Sequence, residues 1–258
     1  MKEQLGTGLP GARYREGTVL AGLALLAVLA AGLTKALLFR DQAYRGSDFY
    51  SYLEMTWSWL YTGVPLHENV YGHHAAIHNY YGLMALAPLT VVLGAYGLIL
   101  ALVLVHGVAV LRLARCGALD PTARLTILLG TLGPIAFFVF DHPGWGFHPE
   151  LLYPPLALLL AVELLARGWG WRSVALTAAL VLVKEDGAAV AAAVVVGHTM
   201  WRTGALWSRS RDEARRALRT GLVSLLVLTA VFGAGMALLY WMSEHFAATQ
   251  STSTARLD

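Results

Sequence analysis

Long runs of apolar residues alternate with short polar breaks along most of the chain. A helix rising about 1.5 Å per residue needs roughly 20 apolar residues to cross a hydrocarbon core about 30 Å thick. By that measure Gly17–Phe39, Ala95–Leu113, Leu125–Phe140, Leu151–Ala166 and Gly221–Met242 read as membrane-crossing helices. Two further apolar segments are interrupted. Ala75–Gly94 contains His78, Asn79 and Pro88, and Ser173–Trp201 is broken by Lys184-Glu185-Asp186-Gly187. The pattern predicts an all-α, polytopic transmembrane bundle of six or seven membrane helices.

Composition excludes the main alternatives. Of 258 residues, 57% are hydrophobic and only 14% charged, with one cysteine, Cys116. Soluble domains carry roughly 25% charged residues, so a water-soluble globule could not cover its surface. Disorder and a disulfide scaffold are excluded by the same figures. A pI near 9.1 would suit nucleic acid. The net charge is only +3, however, and the arginines sit in short loops between apolar runs.

Those loops set the orientation, because loops retained in the cytoplasm are rich in Lys and Arg. With the N-terminus cytoplasmic, Ala75–Gly94 not crossing and Ser173–Trp201 going up and coming back, 14 of 19 Lys and Arg are inside. Crossing Ala75–Gly94 fully, or running Ser173–Trp201 straight through, moves five or six arginines outside. The first span reads as a retained anchor rather than a cleaved signal, with Lys35 snorkelling near its far end. The organisation is a single integral domain over residues 1–258. Residues 17–39 are the first span, and 40–94 an outer loop with interfacial and partial helices. Residues 95–242 hold the remaining spans, and 243–258 form a polar tail.

This orientation collects ten of sixteen acids and seven of nine histidines on the outer side. Such a gathering suggests a polar site there, although loops poor in Lys and Arg leave acids dominant by default. Ser47 suits the cap of an outer helix running to about Leu60, with Asp48 in its first turn. Asp48 would then lie at the membrane surface, either as a dipole partner or as a functional acid. His74 and His78, four apart, would share a helix face. With His73 adjacent they offer a zinc-type site for a divalent metal, with no third ligand set by spacing. No cofactor is otherwise indicated. His148 and Glu150, around Pro149, open a span on the outer side, where Pro and an acid are also ordinary helix-start residues.

Lys184, Glu185 and Asp186 are the sharpest feature. Ser173–Val183 spans 11 residues, about 17 Å of helix, so the three charges lie below the outer surface. Ionisable groups at that depth pair with each other or line a cavity, and Lys184 could simply neutralise one of its two acids. His106 and His198 read as helix-packing residues.

In order along the chain, Asp48 on its outer helix, Gly63-Val-Pro-Leu, Gly72-His-His leading to Ala87-Pro-Leu, Phe147-His-Pro-Glu and Val183-Lys-Glu-Asp resemble a bacterial membrane-protein family. It is the one grouped as domain of unknown function 2079, and the resemblance runs from about Ala43 to Trp201. That family is similar in layout to the GT-C glycosyltransferases, polytopic enzymes with a catalytic acid in a large first outer loop. The resemblance implies a GT-C-like N-terminal core with an outer juxtamembrane helix, in the bacterial inner membrane. It gives the acid role to Asp48 and places phosphate binding near Lys184, with His148 and Glu150 close by; Asp48, His148 and Glu150 are the catalytic candidates. The implied substrate is a polyprenyl-phosphate-linked sugar among membrane lipid, and Lys184, Glu185, Asp186, His74 and His78 are the substrate-binding candidates. Family members generally continue through more spans, so a truncated, non-catalytic member is one alternative. A transporter or lipid-handling protein with Lys184, Glu185 and Asp186 along its path is another, although no inverted repeat is visible. The sequence implies no nucleic-acid partner and leaves the oligomeric state open.

Overall fold

A computed structural model describes residues 10–44, 48–68, 72–73, 78, 80–139 and 146–254. The long apolar runs become helices: α1 (Pro10–Arg40), α5 (Ala95–Ala114), α6 (Pro121–Val139), α7 (Tyr153–Arg167), α8 (Trp171–Val183), α9 (Gly187–Trp207) and α10 (Arg211–Thr254). Between α1 and α5 lie α2 (Phe49–Thr62), α3 (Tyr81–Met84) and α4 (Ala87–Leu93). A two-residue antiparallel ribbon, β1 (His67–Glu68) with β2 (Gly72–His73), pairs His67 with His73.

Four described helices are long and apolar enough to cross a bilayer: Glu16–Arg40, Ala95–Ala114, Pro149–Arg167 and Arg211–His245. The expected six or seven are therefore not all accounted for. At 13 residues, α8 rises about 20 Å and cannot span a core of about 30 Å. Neither α3 nor α4, with 4 and 7 residues, crosses anything.

The chain runs back and forth between two ends. At one end Arg124 Nη1 donates to the carbonyl of Ala114 at 2.7 Å, beside Gly17 at the start of α1. Arg112 and Arg172 share a cavity with Glu163, and Glu163 accepts from Arg167 at 2.7 Å. At the other end lie α2, the start of α7 and the break between α8 and α9.

Helix faces divide as a membrane environment requires. On α1, Ala24, Val28 and Ala31 pack inward, while Val19, Leu23, Leu26 and Leu33 are exposed. The core joins α1 and α5 through Val28, Leu98 and Leu102 to the aromatic cluster of Tyr44, Phe49 and Phe147. The Phe49 ring stacks on Tyr44 at 5.8 Å and meets Phe147 edge-on at 6.2 Å.

One expectation is corrected here. Lys35 does not snorkel to the surface. It is 0% exposed, with Nζ 4.9 Å from the centre of the Tyr44 ring. The α1 face bearing Ala24, Val28 and Ala31 also carries Lys35, so packing against α5 carries the side chain inward. The polar segment from Ser243 is helical as far as Thr254, as the end of a 44-residue α10.

Candidate functional site

Three pieces of backbone meet at the second end. The first is α2, whose buried face of Phe49, Tyr52, Leu53, Met55 and Thr56 follows the helical repeat. Thr56 ties this face to α4 through Thr90, with hydroxyls 2.7 Å apart. The second is Gly146-Phe147-His148, leading into a 3-10 turn at Pro149–Leu152. Gly146 holds φ +53, and a Cβ there would lie 2.7 Å from Tyr44 Cγ and 2.9 Å from Phe49 Cδ2. Only glycine lets this strand pass under the aromatic cluster and deliver His148.

The third piece is the break at Lys184–Asp186. α8 ends at Val183, Lys184 is extended (φ −170, ψ 158), and α9 begins at Gly187. Gly187 is required by close approach rather than by a turn. Its φ is not positive; instead, a Cβ would lie 1.9 Å from the Leu180 carbonyl oxygen. Glycine here permits the two half-helices to touch.

The side chains form one connected run. His148 sits between Tyr52, whose hydroxyl is 2.9 Å from Nε2, and Glu150, whose Oε2 meets Nδ1. With Nδ1–H donated to the carboxylate, Nε2 accepts the Tyr52 proton. Glu150 Oε1 accepts from Lys184 Nζ at 2.7 Å. Lys184 Nζ is 4.0 Å from Asp186 Oδ2, and Asp186 Oδ1 accepts from the Tyr153 hydroxyl. Alongside, His78 Nδ1 lies 2.8 Å from Glu185 Oε1. The Tyr80 ring meets Tyr52 edge-on at 5.5 Å, and burial holds the Tyr52 phenol above the ordinary tyrosine range.

His148, Glu150, Lys184 and Asp186 are thus joined in one run, and Glu185 is tied to His78 beside it. Asp48 takes no part in the hydrogen-bonded run. It is exposed, one helical turn before Tyr52, and its charge acts on the Tyr52 phenol together with that of Glu150. It occupies the N-cap position rather than the first turn of α2, and its side chain makes no capping bond. Ser47 and His74 lie outside the described residues. His78, expected on a helical face with His74, lies outside any helix, and Gly72-His73 form a strand. Among the described residues, no group of three or more His, Cys, Asp and Glu could hold a metal ion.

Tyr52 and Tyr153 were not singled out in the sequence. Tyr52 lies in the aromatic-rich outer helix and Tyr153 at the start of an apolar run. The one available signal for Tyr52 is its spacing of four residues from Asp48, which puts both on one face of α2.

Residues 41–254 match DUF2079, a family described as predicted membrane proteins. The chain belongs to the DUF2079 family. It is a membrane protein, and the match extends past Trp201, where the sequence resemblance ended, to the end of α10. No curated protein and no solved structure matches it.

Proposed function

We propose that the polar cluster is a group-transfer site of the GT-C glycosyltransferase kind, facing the outer side of the bacterial inner membrane, with a cytoplasmic N-terminus. The observation supporting this reading is the unbroken run Tyr52–His148–Glu150–Lys184 beneath exposed Asp48. Donor and acceptor would meet there, between the lipid surface and water.

The donor is a polyprenyl-phosphate-linked sugar in the outer leaflet. Its phosphate takes Lys184 Nζ from Glu150, and the lysine charge offsets the charge developing on the leaving group. The bond between the anomeric carbon and the phosphate oxygen breaks, and its electron pair leaves with the phosphate. The acceptor oxygen bonds to the anomeric carbon and gives its proton to Asp48. Glu150 keeps the His148 ring in place, and Tyr52 fixes its other nitrogen. Glu185 and Asp186 would repel a phosphate, but His78 and Tyr153 each bind one of them. Lys184 is left as the group free to exchange partners.

The test uses membranes from cells overproducing the full chain, given radiolabelled polyprenyl-phosphate sugars. Sugar-dependent release of the lipid phosphate is expected, falling about a hundredfold or more in Asp48→Asn. Absence of release with every donor, or an unchanged Asp48→Asn variant, overturns the reading.

The same run of hydrogen-bonded titratable groups favours a second reading, a proton-coupled transporter or lipid handler. Proteoliposomes that acidify only when a solute or lipid is supplied, with loss in Glu150→Gln, would select it over the enzyme.

A further inference from the structure

The opposite end of the molecule carries a second concave site, away from the polar cluster. A cavity of about 770 Å³ opens between the C-terminal turn of α7, the last turns of α9 and the first turns of α10. Its polar lining is Arg167, His198, Arg202, Glu213 and Arg216, with Trp201 at the side. We propose that this cavity binds the phosphate head group of an anionic phospholipid in the leaflet on the arginine-rich side.

The charges in the cavity are not spent on one another. Arg167 is bound to Glu163. Among the described residues, neither Arg202 nor Arg216 forms an ion pair, while their neighbour Arg215 has Asp212 at 3.8 Å. Glu213 is the acid of the lining, so one negative charge faces two cations without ion-pair partners. The carbonyl ends of α7 and α9 draw on the arginines too, yet a guanidinium serving a carbonyl keeps donors for an anion. Arg202 reaches toward Gly168: its Nη1 lies 3.7 Å from the point where a Cβ on Gly168 would stand. Gly168 itself has φ +75, so the chain leaves α7 by a backbone path that favours glycine and leaves this space open.

The floor is closed and carries an unmet polar atom. α9 and α10 are in close contact at Gly221, where a Cβ would lie 2.3 Å from Thr199 Cγ2. Above this contact His198 Nδ1 is buried without a hydrogen-bond partner, and its residue lines the cavity.

The occupant is identified by what surrounds the mouth. Trp201, Met200 and Leu218 are exposed on the flanking faces of α9 and α10. The ligand therefore has a charged phosphate to set against Arg202 and Arg216 and an apolar chain to lie along this flank. That combination is a phospholipid, whereas free phosphate or a nucleotide would leave the flank uncovered. Basic pockets between membrane helices are suited to anionic head groups, and each arginine near the surface favours them about fivefold.

Native mass spectrometry of the full-length detergent-purified protein tests this with phosphatidylglycerol, phosphatidylcholine and inorganic phosphate as probes. Phosphatidylglycerol is expected to bind the wild type at least about fivefold better than phosphatidylcholine, and inorganic phosphate should not displace it. Arg202→Gln with Arg216→Gln should abolish that preference, while Arg209→Gln with Arg215→Gln should keep it. Equal loss in the two pairs would mean diffuse charge attraction and overturn the site. Displacement by inorganic phosphate would mean a soluble ligand and overturn the lipid. Should the Gln pair fail to fold, Arg202→Lys with Arg216→Lys decides. Retained charge without the planar fork should lower the preference below wild type, and an undiminished preference overturns the site.

Discussion

Lys184 Nζ lies 2.7 Å from Glu150 Oε1, so the break after α8 is fastened to the turn that begins α7. The two residues are 34 positions apart in the chain, and both side chains are largely shielded, at 18% and 25% exposure. Removing one partner leaves the other charge poorly solvated. Lys184→Met is expected to lower stability by about 2 kcal/mol, and adding Glu150→Gln should recover most of it. Adding Glu185→Gln should not, because Glu185 is held by His78. Thermal unfolding in nanodiscs measures all three. Recovery by Glu185→Gln instead would show that the lysine pairs locally.

Gly187 and Gly197 both lie in α9 but differ in what surrounds them. A methyl at Gly187 collides with the Leu180 carbonyl, whereas nothing lies within 4 Å of one at Gly197. Gly187→Ala should cost about 1–3 kcal/mol or more through overpacking. Gly197→Ala should be neutral or stabilising by up to about 1 kcal/mol, from helix propensity. Melting temperatures and expression levels of the two variants give the comparison. Equal behaviour would mean that the half-helices do not meet at Leu180.

Tyr81 gives a pH dependence with a definite sign. Burial pushes its phenol from 10.0 up to about 12, and its hydroxyl is buried with no hydrogen-bond partner among the described residues. The folded protein keeps a proton that the unfolded chain releases. Stability from this group is therefore intact below pH 10 and lost as pH rises from 10 toward 12. Tyr81→Phe should flatten that loss. At pH 8 it should be as stable as wild type or better by up to about 1 kcal/mol, because an unmet hydroxyl is gone. Unfolding midpoints at pH 8, 10 and 11 check this. A Phe variant that declines in parallel with the wild type would refute it.

The orientation is tested by labelling intact cells with an impermeant maleimide. Cys116 is buried, so single cysteines can be introduced against a quiet background. Ser251→Cys is expected to react and Ser210→Cys to be protected until the cells are opened. Reaction at position 210 in intact cells would reverse the assigned sides and, with them, the outer placement of the polar cluster.

The helical membrane fold was largely legible in the chain. A run such as Ala95–Ala114 must satisfy its backbone internally in lipid, so hydropathy alone marks it as a helix. The break at Lys184 was legible for the same reason, since three adjacent charges cannot pass unnoticed in an apolar run. The ribbon at His67–Glu68 and Gly72–His73 was not. Two-residue strands carry no periodicity, and the histidine spacing looked helical in isolation.

The sequence by itself determined the element type, the segregation of arginines to alternate loops and the family order of motifs, because each depends on neighbours along the chain. Which partner each charge takes was decided only in three dimensions. Lys184 has Glu185 and Asp186 beside it, yet bonds Glu150, because its extended backbone points the side chain across to α7 while His78 and Tyr153 hold the two acids. Lys35 lies one turn from the apparent end of an apolar run but is buried against Tyr44, because helix rotation is set by packing with α5. Pairing energies fall off within a few ångströms, and distances between segments far apart in sequence exist only once the helices have packed.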